Sequence, residues 1–245
     1  VKSRMTEVSK AGGMIIQDFD MQVLIGGEMI YQGTTNFGFF TGDALANQVG
    51  IRTPRFYTEI PEADQSKGIC FEPSAPITPD DPNLDKPSKD GMPATAIRMI
   101  DRIDYLDFDA GCFNQGLICG TKTVNPKEWF FDAHFYQDPV CPGSLGIESF
   151  IQLLRYFIVQ KHHINAEAYE VRMTEPHPHE WIYRGQIIPS NKTIKVQAHI
   201  SSCEKRKDTF SITASGALVV DDICIYEFQD FSLEFVPAMD IRQDQ

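Results

Sequence analysis

The sequence predicts an α+β fold in which an antiparallel sheet wraps around one long central helix. Three observations carry that expectation. Residues 143–160, GSLGIESFIQLLRYFIVQ, form a helical stretch that is apolar nearly all round, so the rest of the fold must enclose it. On either side lie short alternating apolar runs divided by turn residues, the pattern of strands. The third is an internal echo. A constant shift of 195 lays Val1 on Val196, Lys10 on Lys205, Ile30-Tyr31 on Ile225-Tyr226 and Phe40 on Phe235.

Taken in order, residues 1–40 hold three apolar runs with Gly26-Gly27 between the last two, which predicts antiparallel strands and a tight hairpin. Residues 41–51 predict a short helix capped by Thr41. From 52 to 93 the composition turns to Pro, Asp, Ser and Lys, an extended linker with little core of its own. A complete module starts near Ala94, with 97–106 opening it and 116–124 alternating as a strand. Residues 129–136 read as extended and aromatic; Asp138-Pro139 and Pro142-Gly143 then break the backbone, and the long helix opens at a small cap residue. Residues 181–236 return to strands.

The division expected is therefore 1–51 as the closing strands and short helix of a preceding module, 52–93 as linker, 94–236 as the complete module, and 237–245 as a tail. The chain begins at Val1 rather than methionine, which with the echo suggests a piece of a longer polypeptide. The alternative is that the first strands add to the sheet of the single module.

Composition excludes several classes. At 245 residues and a net charge of −12, nucleic acid is not an expected partner, because phosphate binding needs a basic surface. The one basic run, Lys205-Arg206-Lys207, sits between two strand-like runs as a solvated hairpin tip. The long helix is short for a membrane span and carries Glu148 and Arg155, so no membrane partner is expected. Six cysteines at 70, 112, 119, 141, 203 and 224 show no CxxC spacing; with no signal peptide they read as reduced thiols in a cytoplasmic protein. Cys141 reads as a packing residue, and His177-Pro178-His179 as a loop rather than a metal site.

Chemistry concentrates in residues 129–160. His134 lies among Phe130, Phe131, Phe135 and Tyr136, and imidazole exchanges protons near neutral pH. A lone histidine in such company is by itself more often a core residue. Glu148 is rarer, because an unpaired carboxyl in an apolar helix is costly, and burial would keep part of it protonated. Gln152, four residues on, is placed to hydrogen-bond that carboxyl. The N–H groups of Gly143 and Ser144 point out of a helix start, where developing negative charge is favoured.

The pattern H-F-x-x-D-P-x-x-P-G-x-L-G-x-(D/E)-x-x-x-Q from His134 to Gln152, preceded by Trp129-Phe130-Phe131, resembles the hotdog-fold β-hydroxyacyl-thioester dehydratases. The resemblance is to the β-hydroxydecanoyl-ACP dehydratase branch, and within it to the dehydratase domains of bacterial polyunsaturated fatty acid synthases. It runs from residue 97 to about 235 and includes Tyr183-Arg184-Gly185-Gln186-Ile187-Ile188-Pro189. It implies a hotdog fold, a hydro-lyase acting on 3-hydroxyacyl chains carried by acyl carrier protein, and no cofactor or metal. It also implies His134 and Glu148 as catalytic, Gly143, Ser144, Phe131 and Val140 as substrate-binding, and Gln152 as their support. The decanoyl branch carries aspartate where this chain has Glu148; sister hotdog dehydratases carry glutamate, so dehydration is implied and double-bond isomerisation is not.

In that family the histidine and the acid come from two paired hotdogs, which implies a homodimer or pairing with a neighbouring hotdog module. Two rivals share the fold: a hotdog acyl thioesterase, and a non-catalytic acyl-binding or scaffold hotdog of a synthase.

Overall fold

The computed structural model describes residues 1–11, 13–61, 69–71, 91–93 and 95–238. Most of the expected linker and nearly all of the expected tail lie outside these residues. Two compact units emerge, Val1–Val49 and Gly50–Gln245.

The first unit is a three-stranded antiparallel meander, β1 (Lys2–Ala11), β2 (Met14–Ile25) and β3 (Glu28–Phe39), followed by a short helix α1 (Gly42–Ala46). Gly26 and Gly27, both at positive φ, make the two-residue turn between β2 and β3. Thr41 caps α1, its hydroxyl accepting from Ala44 N–H at 3.3 Å.

The second unit is the hotdog. Its eight-stranded sheet has the order β4-β5-β6-β9-β10-β11-β7, with β8 also paired to β11. The strands are β4 (Ile69–Cys70), β5 (Arg102–Asp107), β6 (Leu117–Thr123), β7 (Tyr169–Met173), β8 (Glu180–Tyr183), β9 (Thr193–Arg206), β10 (Thr209–Val220) and β11 (Ile223–Pro237). Their pairings are antiparallel. The long helix α3 (Gly143–His162) packs on β6, β9 and β10 and buries Phe150, Leu153, Leu154, Phe157 and Ile158. Burying such side chains contributes about 1.5–3 kcal/mol each, which is what holds the helix in the sheet's concave face.

The internal echo is present in the strand register. β1 opposes β2 as β9 opposes β10: Met5 faces Phe19 as Ile200 faces Ala214, and β1 skips Thr6 where β9 skips Ser201. Likewise Val23 faces Tyr31 as Leu218 faces Tyr226, and Ile30 is bulged out as Ile225 is. The turn glycines 26 and 27 fall on Asp221 and Asp222, also both at positive φ. The shift of 195 then slips by one, because β11 holds an extra bulge around Asp230. Phe39, not Phe40, is therefore the counterpart of Phe235: it faces Ile15 as Phe235 faces Phe210.

Three further expectations are corrected. Residues 129–136 are not extended: they include a one-turn helix, α2 (Trp129–Ala133), which lets Phe130 and Phe131 both enter the core. The start of the expected linker is not free of the fold. Ile51 and Tyr57 pack on Ala217, Val219 and Cys224 across the outer face of the sheet. Arg55 Nε donates to Glu227 at 2.6 Å, and Thr58 exchanges two hydrogen bonds with Gln197. Sequence composition registers prolines and charges, but not the buried polar residues on the sheet that receive them. Finally, α3 is not enclosed all round; Ser144, Ile147, Glu148, Ile151 and Arg155 form one partly open face.

Candidate active site

His134 follows α2 as its C-cap, its N–H donating to Phe130 O at 2.9 Å. The seven-residue loop it begins is closed on itself. Val140 N–H donates to His134 O at 2.8 Å, and Phe135 and Asp138 exchange backbone hydrogen bonds of 3.0 and 3.2 Å. Within this loop the His134 Nδ1 lies 2.9 Å from Val140 O. A carbonyl oxygen only accepts, so Nδ1 must carry the proton, and Nε2 is left with its lone pair. The half-buried ring leans on Phe135, centroids 3.7 Å apart.

Glu148 sits in the second turn of α3. Burial pushes its carboxyl above the usual glutamate range, against a hydrogen bond from Gln152 and the charge of Arg155. Gln152 is fully buried and fully used: its Oε1 accepts from Met99 N–H at 2.8 Å, and its Nε2 donates to Ile97 O at 2.8 Å and to Glu148 Oε1 at 2.9 Å. The Met99 N–H fixes which end of the amide is oxygen, so both amide protons are aimed where they are needed. The i, i+4 bond expected from sequence is present.

The cap of α3 is Pro142, not a small polar residue, and it offers no side-chain acceptor. The first-turn N–H groups of Gly143 and Ser144 are thus not taken by a cap side chain. Gly143 lies against Trp181 and Tyr183; a Cβ there would come within 3.1 Å of the indole. Gly146 faces Tyr226, where a Cβ would come within 1.9 Å of the ring, so only glycine fits. Trp181 and Tyr183 stack with centroids 5.5 Å apart, and Tyr226 closes the cluster. Reasoning from sequence assigned these three aromatics no role. Tyr183 stood inside a quoted stretch of the resemblance, but nothing local says that it returns to the helix mouth.

Phe131 and Val140 are core side chains; only the carbonyl of Val140 reaches the site, through His134. Cys141 is buried, and its thiol is pushed up to about 12 by that burial, as expected of a packing residue. All six cysteines are unpaired. Among the described residues no hydrogen bond or ion pair joins the His134 ring to Glu148 or to another carboxylate. A cleft of about 770 Å³ lined by Tyr57, Glu59, Asp104 and Cys119 lies by the strapped outer face and includes neither residue. Among the described residues no cluster of metal-ligating side chains occurs, and no helix is long and apolar enough to cross a membrane.

The profile of the FabA-like domain matches residues 92–229, more than half of the chain and all of this geometry. The chain belongs to that family. The FabA-like domain is also similar to a polyunsaturated fatty acid synthase polypeptide of Thraustochytrium sp., with 30% identity over 244 residues. That similarity covers 92% of the chain but only 16% of the much longer synthase polypeptide. Among solved structures, the dehydratase heterocomplex ApeI:P of Xenorhabdus doucetiae matches 59% of the chain and 86% of its own at 10% identity and a TM-score of 0.40. AziG of S. sahachiroi matches 56% and 90% at 8% identity and a TM-score of 0.36.

Proposed function

We propose that this FabA-like domain is a 3-hydroxyacyl-[acyl-carrier-protein] dehydratase, giving trans-2-enoyl thioesters in fatty acid and polyunsaturated fatty acid synthesis. The observation that carries the reading is the fixed tautomer of His134: its Nδ1–H is committed to Val140 O, so Nε2 is available as a base. Nε2 takes the proton from C2, and the C–H electron pair becomes the new double bond. The C3–O bond breaks, and the oxygen leaves as water with a proton from Glu148, whose burial favours the protonated form. The N–H groups of Gly143 and Ser144 stabilise the charge that develops on the thioester oxygen. The elimination is redox-neutral, so the chain's own residues suffice for it.

Base and acid must address one C2–C3 unit, and among the described residues no contact joins them. We therefore place each complete site between two hotdogs, in a homodimer or with a neighbouring hotdog module. Residues 1–49 support the second arrangement. Their register matches β9 to β11, and the face that packs on α3 in the hotdog is in β1 to β3 apolar and open, with Met5, Tyr31, Phe37 and Phe39 exposed. On this reading they are the closing strands of a preceding module.

Incubation with 3-hydroxyacyl-carrier thioesters should give enoyl absorbance, lost by at least about a hundredfold in His134→Ala. Equal rates for the two proteins would remove the mechanism. Release of free thiol without enoyl product would instead indicate the thioesterase. Mixing His134→Ala with Glu148→Ala chains should restore activity if the site is shared between identical chains.

A further inference from the structure

The open face of α3 has a beginning and an end. It starts at the exposed Ser144, passes the half-buried Ile147, Glu148 and Ile151, and stops at Arg155. The next side chains, Tyr156 to Val159, are all buried. Over this last turn passes the buried segment Gly91-Met92-Pro93: Gly91 takes a positive φ, and a Cβ there would come within 3.0 Å of Val159 Cγ2. The groove beside the helix is thus apolar between Glu148 and Arg155 and shut beyond it. Arg155 itself is unusual. Its Nε–H is buried with no acceptor among the described residues, and burial disfavours its charge, with Glu148 acting against that shift.

We propose that Arg155 terminates the acyl-binding groove along α3 and so sets the acyl chain length that the site accepts. The inference rests on the dehydratase reading only in taking C3 of the substrate to lie at Glu148. Seven helical residues separate Glu148 from Arg155, a rise of about 10 Å. With carbon–carbon bonds of about 1.5 Å, an extended tail advances about 1.3 Å per bond and spans that distance in about eight bonds. Chains of about ten to twelve carbons then end against the guanidinium. Longer tails would press methylenes onto a desolvated charge whose donors they cannot satisfy.

The test compares wild type, Arg155→Leu and Arg155→Lys on 3-hydroxyacyl-pantetheine thioesters of six to sixteen carbons. Turnover is followed by enoyl absorbance. Binding of the matching unreactive S-alkyl pantetheine thioethers is followed by calorimetry. Arg155→Leu should move the preferred length up by at least two carbons, with about a tenfold gain for fourteen carbons relative to ten. Arg155→Lys should keep the wild-type limit. If Arg155→Leu does not fold, Arg155→Met, an unbranched near-isostere, takes its place with the same expectation. Identical length profiles for wild type and the apolar variant, in binding and turnover alike, would overturn the proposal. A shifted binding profile without enoyl formation by either protein would uphold the groove and remove the dehydratase reading.

Discussion

The two copies of the strand meander differ in what covers them, and that difference shows what a register alone does. β1 to β3 and β9 to β11 share pairing, turns and two bulges. Yet Phe235 is 1% exposed and its counterpart Phe39 is 57% exposed. On the opposite face, Glu227 is buried beneath Arg55, whereas the β1–β2 pair offers only the solvent-exposed Arg4–Asp20 bridge. Hydrogen bonding between strands therefore fixes the shape of both sheets. The helix on one face and the strap of residues 51–58 on the other are what turn one of them into a core.

Matched substitutions sharpen the comparison. The largest effect is expected for Phe235→Ala, which opens a cavity in the core and should cost about 3–5 kcal/mol in denaturant unfolding. Phe39→Ala, at the same register position, should cost about 0.5 kcal/mol in the chain alone. A cost near that of Phe235→Ala would break the contrast and mean that the face of β1 to β3 is covered in solution.

Next comes Arg55→Ala. It leaves the Glu227 carboxylate, 4% exposed, without its cation, and should cost about 2–3 kcal/mol. Arg4→Ala should cost under about 1 kcal/mol, because that pair is exposed and screened.

The smallest effect is a pH dependence. Burial raises the Glu148 pKa above 4.5, so the folded state holds that proton more tightly than the unfolded chain. The group's favourable share is complete below the unfolded value and is lost as pH rises through the raised one. Glu148→Gln should therefore be more stable than wild type at neutral pH, and the difference in melting temperature should vanish as pH falls below about 4.5. A difference that does not change with pH would mean that the carboxyl is not desolvated.

Much of this was legible residue by residue. Pro142-Gly143 placed the start of α3, the i, i+4 spacing anticipated the Gln152–Glu148 bond, and Asp221-Asp222 marked a turn. What was not legible involves partners distant in sequence. The fixed tautomer of His134 depends on a loop folding back so that Val140 O meets the ring. The mouth of the helix depends on Trp181, Tyr183 and Tyr226 arriving from β8 and β11. The one-residue slip at Phe39 depends on a bulge at Asp230, which no spacing in β3 announces.

By itself, then, the sequence determined the α+β class, the long buried helix and the residues able to move protons. These follow from hydrophobic period, backbone-breaking residues and side-chain chemistry, all of which are local. Only the tertiary structure decided which face of α3 stays open, where that face ends, and that residues 51–58 cover the outer sheet. Those outcomes are set by which distant surfaces exclude water from one another, and no window of the chain contains both surfaces.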